Sequence, residues 1–242
     1  AECLTSNLLT AADLDMTGLT DIVRGYRVTQ LGAIRGAIDP LRAAFPFDVV
    51  QHGYDIKFVR RGGASVATIP SDDLDARQAG QAPGVQITDT REMDIMLPRR
   101  VSLNYVDVTR EYETNQQYAE RINTDAINER LVELPIVFNA DEAAKKAETL
   151  LYMYWLERYD VGFSLPHAYA DLEPGDVITI TDTDATYELR LTSVNTLPDG
   201  RMECQAKYNQ AALYTPTAEG EEGQSVGAVL TLDGPSYYVL LD

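Results

Sequence analysis

Between Tyr187 and Tyr208 the chain alternates with a period of two on either side of a Pro198-Asp199-Gly200 turn, and no other stretch restricts its fold so tightly. Tyr187, Leu189 and Leu191 take every second place among Glu188, Arg190 and Thr192. After the turn, Met202, Cys204, Ala206 and Tyr208 alternate with Arg201, Glu203, Gln205 and Lys207. Successive strand side chains point to opposite faces, so this spacing predicts a hairpin with one face buried and one face wet. Upstream, Pro174-Gly175-Asp176 reads as a tight turn that launches another strand over Val177 to Thr181, where Ile178 and Ile180 alternate with Thr179 and Thr181.

With 242 residues the chain has length for one large domain or two small ones, and it can bury about 70–75% of its unfolded surface. Its two cysteines, Cys3 and Cys204, form no disulfide framework and no Cys-x-x-Cys pattern; each reads as a small buried hydrophobe. Acidic residues outnumber Lys plus Arg by 38 to 20, and the net charge of −18 repels phosphate backbones and anionic lipid. Specific nucleic-acid binding is therefore not expected, although a negative wall suits a conduit to which passing DNA should not stick. No run of about 18 apolar residues exists, and no basic-then-apolar segment opens the chain. The sequence starts at Ala1 without a methionine and stops at Tyr237-Tyr238-Val239-Leu240-Leu241-Asp242, inside what reads as a strand, so an excerpt of a longer polypeptide is expected.

Leu31, Ile34, Ile38, Leu41 and Phe45 fall at helical spacing, with a kink or restart expected where Asp39 would cap a new turn at Pro40. Phe47 to Val50 and Tyr54 to Val59 flank His52-Gly53 as a second hairpin, and Gly25 to Val28 suggests a short strand. Residues 1–75 are thus predicted to form a small α+β module whose core is Val28, Ile34, Ile38, Leu41, Phe45, Ile56 and Phe58. Residues 76–84 carry no hydrophobic period and read as a linker. Beyond them, Val85 to Asp94 and Arg99 to Asp107 look like long strands, the latter with Val101, Leu103 and Tyr105 on one face, and Tyr112 to Ile122 leans to strand. Asn139 and Glu142 stand at the N-cap and N3 positions of a helix expected over 140–159, with Ala143, Ala147, Leu150, Leu151 and Tyr154 on its apolar face. Residues 85–214 should therefore be a sheet or barrel with one helix packed on it, and 215–242 a linker followed by the start of another β region.

The candidates for chemistry are few. His52 lies in a hairpin turn and His167 beside Pro166, with no Glu or Cys at zinc-site spacing from either. Gly62-Gly63-Ala64-Ser65-Val66 lacks the second glycine of a nucleophile elbow and reads as a hairpin end. Two carboxylate clusters, Asp72, Asp73 and Asp75 and then Asp182 and Asp184, could in principle flank a glycosidic bond, but in so acidic a chain they read as solvated loop tips. Tyr152, Tyr154, Trp155 and Tyr159 could make a sugar platform, yet their spacing suits packing against a sheet or a subunit. No catalytic, cofactor-binding or metal residue is assigned.

Several segments together carry a resemblance. They are Val23-Arg24-Gly25-Tyr26, the helix ending Ile38-Asp39-Pro40-Leu41-Arg42-Ala43-Ala44-Phe45, and Ile56-Lys57-Phe58-Val59-Arg60-Arg61-Gly62. Pro98 to Asp107, Arg130 to Val137, Phe163-Ser164-Leu165-Pro166, Leu172 to Val177 and the end at Ala212-Leu213-Tyr214 complete the set. In order and spacing the chain resembles the central part of the tail-tip (baseplate) hub proteins of long-tailed bacteriophages and gene transfer agents. That resemblance implies an α+β fold built on an antiparallel tail-tube-like β-barrel with one packed helix. It also implies a non-enzymatic structural virion protein, located at the tail tip, without cofactors. Three copies would form a ring that closes the distal end of the tail tube and takes part in DNA delivery through an acidic lumen. The distal tail protein and the tape-measure protein would be neighbours, and host contact would fall to other parts of the chain. Two other readings of the residues remain open: a peptidoglycan hydrolase module using the Asp pairs, and a carbohydrate- or receptor-binding module using the helix tyrosines.

Overall fold

The computed structural model describes residues 10–28, 33–74, 76–77, 80, 86–182 and 185–222. Its strands, in chain order, are β1 (Leu14–Asp15), β2 (Phe47–His52), β3 (Asp55–Arg60), β4 (Ala67–Pro70), β5 (Ile87–Arg91), β6 (Pro98–Asp107), β7 (Thr114–Glu120), β8 (Asn128–Phe138), β9 (Tyr159–Leu165), β10 (Val177–Thr181), β11 (Thr186–Thr196) and β12 (Met202–Tyr208). Two α-helices accompany them, α1 (Ile34–Ala44) and α2 (Ala140–Leu156). The strands form three sheets, ordered β1-β3-β2, β4-β10-β11-β12-β9-β5 and β7-β6-β8.

The opening hairpin is present. β11 and β12 pair antiparallel, with Gly200 at φ +83° in the turn, where a side chain would be strained. Leu189 and Leu191 are buried as the alternation requires, but a bulge after Leu191 leaves Thr192 unpaired and resets the inward parity to Val194. β10 lies beside β11, as its turn at Pro174-Gly175 predicts.

On the six-stranded sheet, Ile69, Val161, Phe163, Leu165, Ile178, Ile180, Leu189, Leu191, Met202, Cys204 and Ala206 make one buried cluster with Leu74. Among the described residues no α-helix belongs to that cluster, so the sheet must curl round its own inner face to keep these side chains from water. It does not close into a barrel: among the described residues β4 and β5 stand at opposite edges and do not pair. The physical reason lies at β4. Pro70 has no N–H to donate, and the chain turns at once into a 3-10 turn over Ser71–Leu74. That turn packs against β9 as well as β4 and carries Leu74 into the core, filling with a side chain what a ladder would otherwise join.

The second core lies between α2 and the β7-β6-β8 sheet. Val101, Leu103 and Tyr105 point inward from β6, as their alternation predicts, and meet Ala143, Ala147, Leu150 and Leu151 of the helix. Asn139 accepts the Glu142 N–H at 2.7 Å while Glu142 accepts the Asn139 N–H at 3.1 Å, the expected capping box. Asn139→Ala is expected to lower stability by about 1 kcal/mol in urea unfolding. The helix ends at Leu156 rather than at 159, because Tyr159 already belongs to β9.

Other expectations are corrected. The sheets are not purely antiparallel: β1 and β3, β4 and β10, and β6 and β8 pair in parallel. For β8, the 121–127 connection crosses the start of β6 to the side away from β7, so the third strand joins the edge opposite its predecessor. α1 runs unbroken through Pro40 with Ala33 as its N-cap, and Asp39 caps nothing. The carbonyl that a proline ring crowds is four residues back, here Gly36, whose backbone adapts more readily than that of any other residue. The strand read over 85–94 is shorter, and Asp94–Met96 forms a 3-10 turn. Val28 is half-exposed rather than in a core, and Gly25 to Val28 makes a single antiparallel bridge, Tyr26 to Ile136. Leu31, Val85, Cys3 and the strand read at the C-terminus lie outside the described residues.

Candidate functional site

Five charged side chains converge where the β1-β3-β2 sheet, α2 and the six-stranded sheet meet. Asp48 projects from β2, Arg61 follows β3, Arg42 sits in the last turn of α1, Glu157 caps the C-terminus of α2, and Arg190 lies on the outer face of β11. Arg61 donates two hydrogen bonds to Asp48, at 3.0 Å from Nε and 2.7 Å from Nη2, and a third to Glu157 at 2.9 Å. Arg190 donates to both acids, each at 2.6 Å, and Arg42 reaches Asp48 at 3.1 Å. Arg190 is only 4% exposed and Asp48 13%, so these charges are largely removed from water. Burial alone would raise the Asp48 carboxyl; the hydrogen bond from Arg61 and the charges of Arg190 and Arg61 outweigh it and hold the group below its ordinary range. Forked guanidinium–carboxylate pairing of this kind fixes orientation as well as charge. The network clamps the β1-β3-β2 sheet to α2 and to the six-stranded sheet.

Close backbone approaches support the same junction. Gly62, at φ +82°, faces the Tyr214 ring so tightly that any Cβ would collide with it, and Gly175 packs against Val50 and Val59. From Tyr214 the chain runs back along α2. The Ala218 N–H donates to Glu148 and the Gly220 N–H to Asp141, and the Gln117 amide donates to the Glu221 carbonyl.

Sequence reasoning singled out none of these network residues as functional. An aspartate alternating into a strand and an arginine on an amphipathic hairpin look locally like wet-face residues, and only their meeting across 142 positions reveals them.

The residues that were singled out do not converge. Asp72 and Asp73 are neighbours in one short 3-10 turn, where consecutive side chains diverge by about 120°. Asp73 accepts a hydrogen bond from the Tyr169 hydroxyl at 2.7 Å. Asp75 and Asp184 lie outside the described residues, and so do the pairings expected of them. His52 pairs with Glu173, while His167 opens a separate 3-10 turn. Among the described residues no group of three or more metal-binding side chains is found. Trp155 is 5% exposed, and its indole N–H donates to the Pro98 carbonyl at 2.9 Å. Tyr154 lies under Arg130, Tyr152 is exposed, and Tyr159 belongs to β9, where it packs on Tyr208; the four aromatics make no common platform. Cys204 is buried, which pushes its thiol up to about 11. Among the described residues no helix is long and apolar enough to cross a membrane.

Comparison with curated protein sequences finds no significant match. Among solved structures, a chain from the virion of a native gene transfer agent particle is similar with a TM-score of 0.81 at 23% identity, covering 91% of this chain and 48% of that one. Similarity also extends to a tail protein from Neisseria meningitidis MC58, with a TM-score of 0.46, 11% identity, and 74% and 54% of the two chains covered. A 43 kDa tail protein of prophage MuSo2 from Shewanella oneidensis gives 0.47 at 8% identity, with 75% and 55% covered. The chain thus spans about half the length of the solved chains it matches. The family model described as "Putative phage tail protein" matches residues 33–194. With that span inside the model, the chain belongs to the phage tail protein family.

Proposed function

We propose that the protein is a non-enzymatic structural component of the tail tip, a hub of which three copies form a ring closing the distal end of the tail tube. The observation that carries this reading is the fold shared over 91% of the chain with a component of a gene transfer agent virion, joined to membership in the phage tail family. In this reading residues 1–75 are an α+β module and 85–214 the tube-like unit, with the curled six-stranded sheet completed as a barrel wall by neighbouring subunits. The distal tail protein and the tape-measure protein are its neighbours.

The face of the β7-β6-β8 sheet turned away from α2 supports the lumen assignment. Its outward positions include Glu120, Glu129 and Glu133, with Asn104 and Gln116 between them; Glu120 is paired with Arg99, Arg100 lies over the Tyr118 ring, and Tyr118 and Leu131 are exposed on the same face. A wall with this net excess of unpaired glutamate repels a polyanion and lets it slide past without binding.

Light scattering on the intact protein should give a three-fold species whose contacts each bury about 2,000 Å² or more. A monomer, or a ring of another order in an assembled particle, overturns the hub assignment. A peptidoglycan zymogram should stay uncleared by the protein, and Asp72→Asn with Asp73→Asn should change nothing. Clearing that those substitutions abolish would establish the hydrolase reading instead.

A further inference from the structure

In a chain of net charge −18, one cleft gathers positive charge. It lies between α2 and the 20–24 segment, with a volume of about 540 Å³, within the range of binding pockets. Glu142, Lys145, Lys146 and Thr149 line it from α2 at the spacing of a single helix face, and Arg24, Arg60 and Arg61 line it from the other elements. Five cations thus face two acids, Asp21 and Glu142, and both acids are already paired. Asp21 meets Arg60 at 3.4 Å and Glu142 meets Arg24 at 2.8 Å. Arg61 is held in the Asp48–Glu157 network. Asp141 and Glu148, each within a helical turn of Lys145, accept the Gly220 and Ala218 N–H groups instead. Among the described residues no carboxylate pairs with Lys145 or Lys146. Lys145 is exposed, but Lys146 is half-buried, its ammonium 4.2 Å from the centre of the Phe45 ring. Burial pulls that ammonium below the ordinary lysine value, Arg60 adds to the effect, and Asp21 and Glu142 offset it only in part.

We infer that this cleft binds a carboxylate-bearing peptide, an acidic segment of a neighbouring protein, with Lys146 gripping the carboxylate inside and Lys145 steering it at the rim. A cation drawn partly out of water without a counter-charge is costly, and an incoming carboxylate relieves that cost through a charge-assisted hydrogen bond. The chain's overall negative field opposes the approach. At physiological salt, however, that field is screened beyond about 8 Å, so the unpaired lysines decide the interaction at contact. The walls favour a carboxylate on a peptide over a bare phosphate. Phe45, Val137 and Phe138 offer apolar surface beside the lysines, suited to the aliphatic stem of a glutamate and its neighbours. The start of α2, where backbone N–H groups would grip a phosphate, is instead closed by the Asn139–Glu142 capping box. What a subunit binds here does not depend on how many subunits meet, so failure of this inference leaves the hub reading untouched.

The test uses the intact protein and a short fluorescent peptide of alternating Glu and Ala, followed by anisotropy. The peptide should bind, more weakly as salt is raised, and its counterpart of alternating Gln and Ala should bind at least tenfold more weakly. Lys146→Gln should weaken the acidic peptide at least tenfold, and Lys146→Arg should keep most of the affinity. Arg35→Gln removes an exposed cation of α1 outside the cleft and should change nothing. A second measurement needs no variant and decides even if Lys146→Gln fails to fold. With limiting acetic anhydride and mass spectrometry, the acidic peptide should slow acetylation of Lys146 several-fold and leave Lys57 unaffected. Equal binding of the two peptides, full affinity in a folded Lys146→Gln protein, or unchanged acetylation of Lys146 overturns the site. Displacement of the peptide by inorganic phosphate at lower concentration than by glutarate overturns the choice of carboxylate. Glutarate that binds as tightly as the peptide overturns the choice of a protein segment.

Discussion

Asp48→Ala is expected to lower the free energy of unfolding by about 3–5 kcal/mol, the largest single effect of any polar substitution in this protein. The carboxylate accepts hydrogen bonds from Arg42, Arg61 and Arg190. Its removal leaves Arg61 and Arg190, both nearly buried, sharing Glu157 alone. The expected loss is that of stranding buried charge, so it should shrink when Arg190→Met is added, because an apolar residue needs no counter-ion. Arg42→Ala serves as a control: it is 41% exposed and should cost less than about 1 kcal/mol. Acid has a predictable effect as well. The Asp48 carboxyl titrates lower in the folded protein than in the unfolded chain. Its stabilisation is therefore fully present above the unfolded value, about 3.9, and is lost as pH falls through the folded value. Urea unfolding at pH 7 and at pH 3 should show a steeper loss for the unmodified protein than for Asp48→Ala. Equal slopes, or a cost under 1 kcal/mol, would mean that the network is solvated and holds nothing together.

Leu74→Ala should cost about 2–5 kcal/mol by the same measurement. Leu74 is 1% exposed and enters the cluster inside the curled sheet from a 3-10 turn, not from a strand. Its turn packs against β4 and β9, and its side chain joins the core that the sheet's inner face encloses. Amide exchange should accelerate along β4 before the central strands of that sheet, because β4 has β10 on one side only and packs against the turn that carries Leu74. A cost below about 1 kcal/mol would show that the core closes without Leu74.

Features set by neighbours in sequence were legible before any coordinates. The Asn139–Glu142 box needs residues three apart, the inward face of β6 needs every second residue, and the β11–β12 turn needs glycine at positive φ. The ordered segments from Val23 to Tyr214 pointed to phage tail proteins, and the family match over 33–194 agrees at that level. Illegible were the Leu191 bulge, which flips parity without leaving a residue signature, and the passage of α1 through Pro40, which depends on what Gly36 tolerates.

By itself, the sequence determined the β2–β3 and β11–β12 hairpins, the strands β6 and β10, the two helices with their apolar faces, and that the whole carries a large negative charge. Local periodicity and capping are written in residues a few positions apart, so they need no partner to be read. Tertiary structure alone decided that β4 pairs with β10 and that β8 passes to the far side of β6. It also decided that the six-stranded sheet curls without closing and that Asp48, Arg61, Glu157 and Arg190 share one buried network. Each of those depends on contacts between segments as much as about 140 residues apart, whose loop-closure cost is met only when the rest of the fold forms with them.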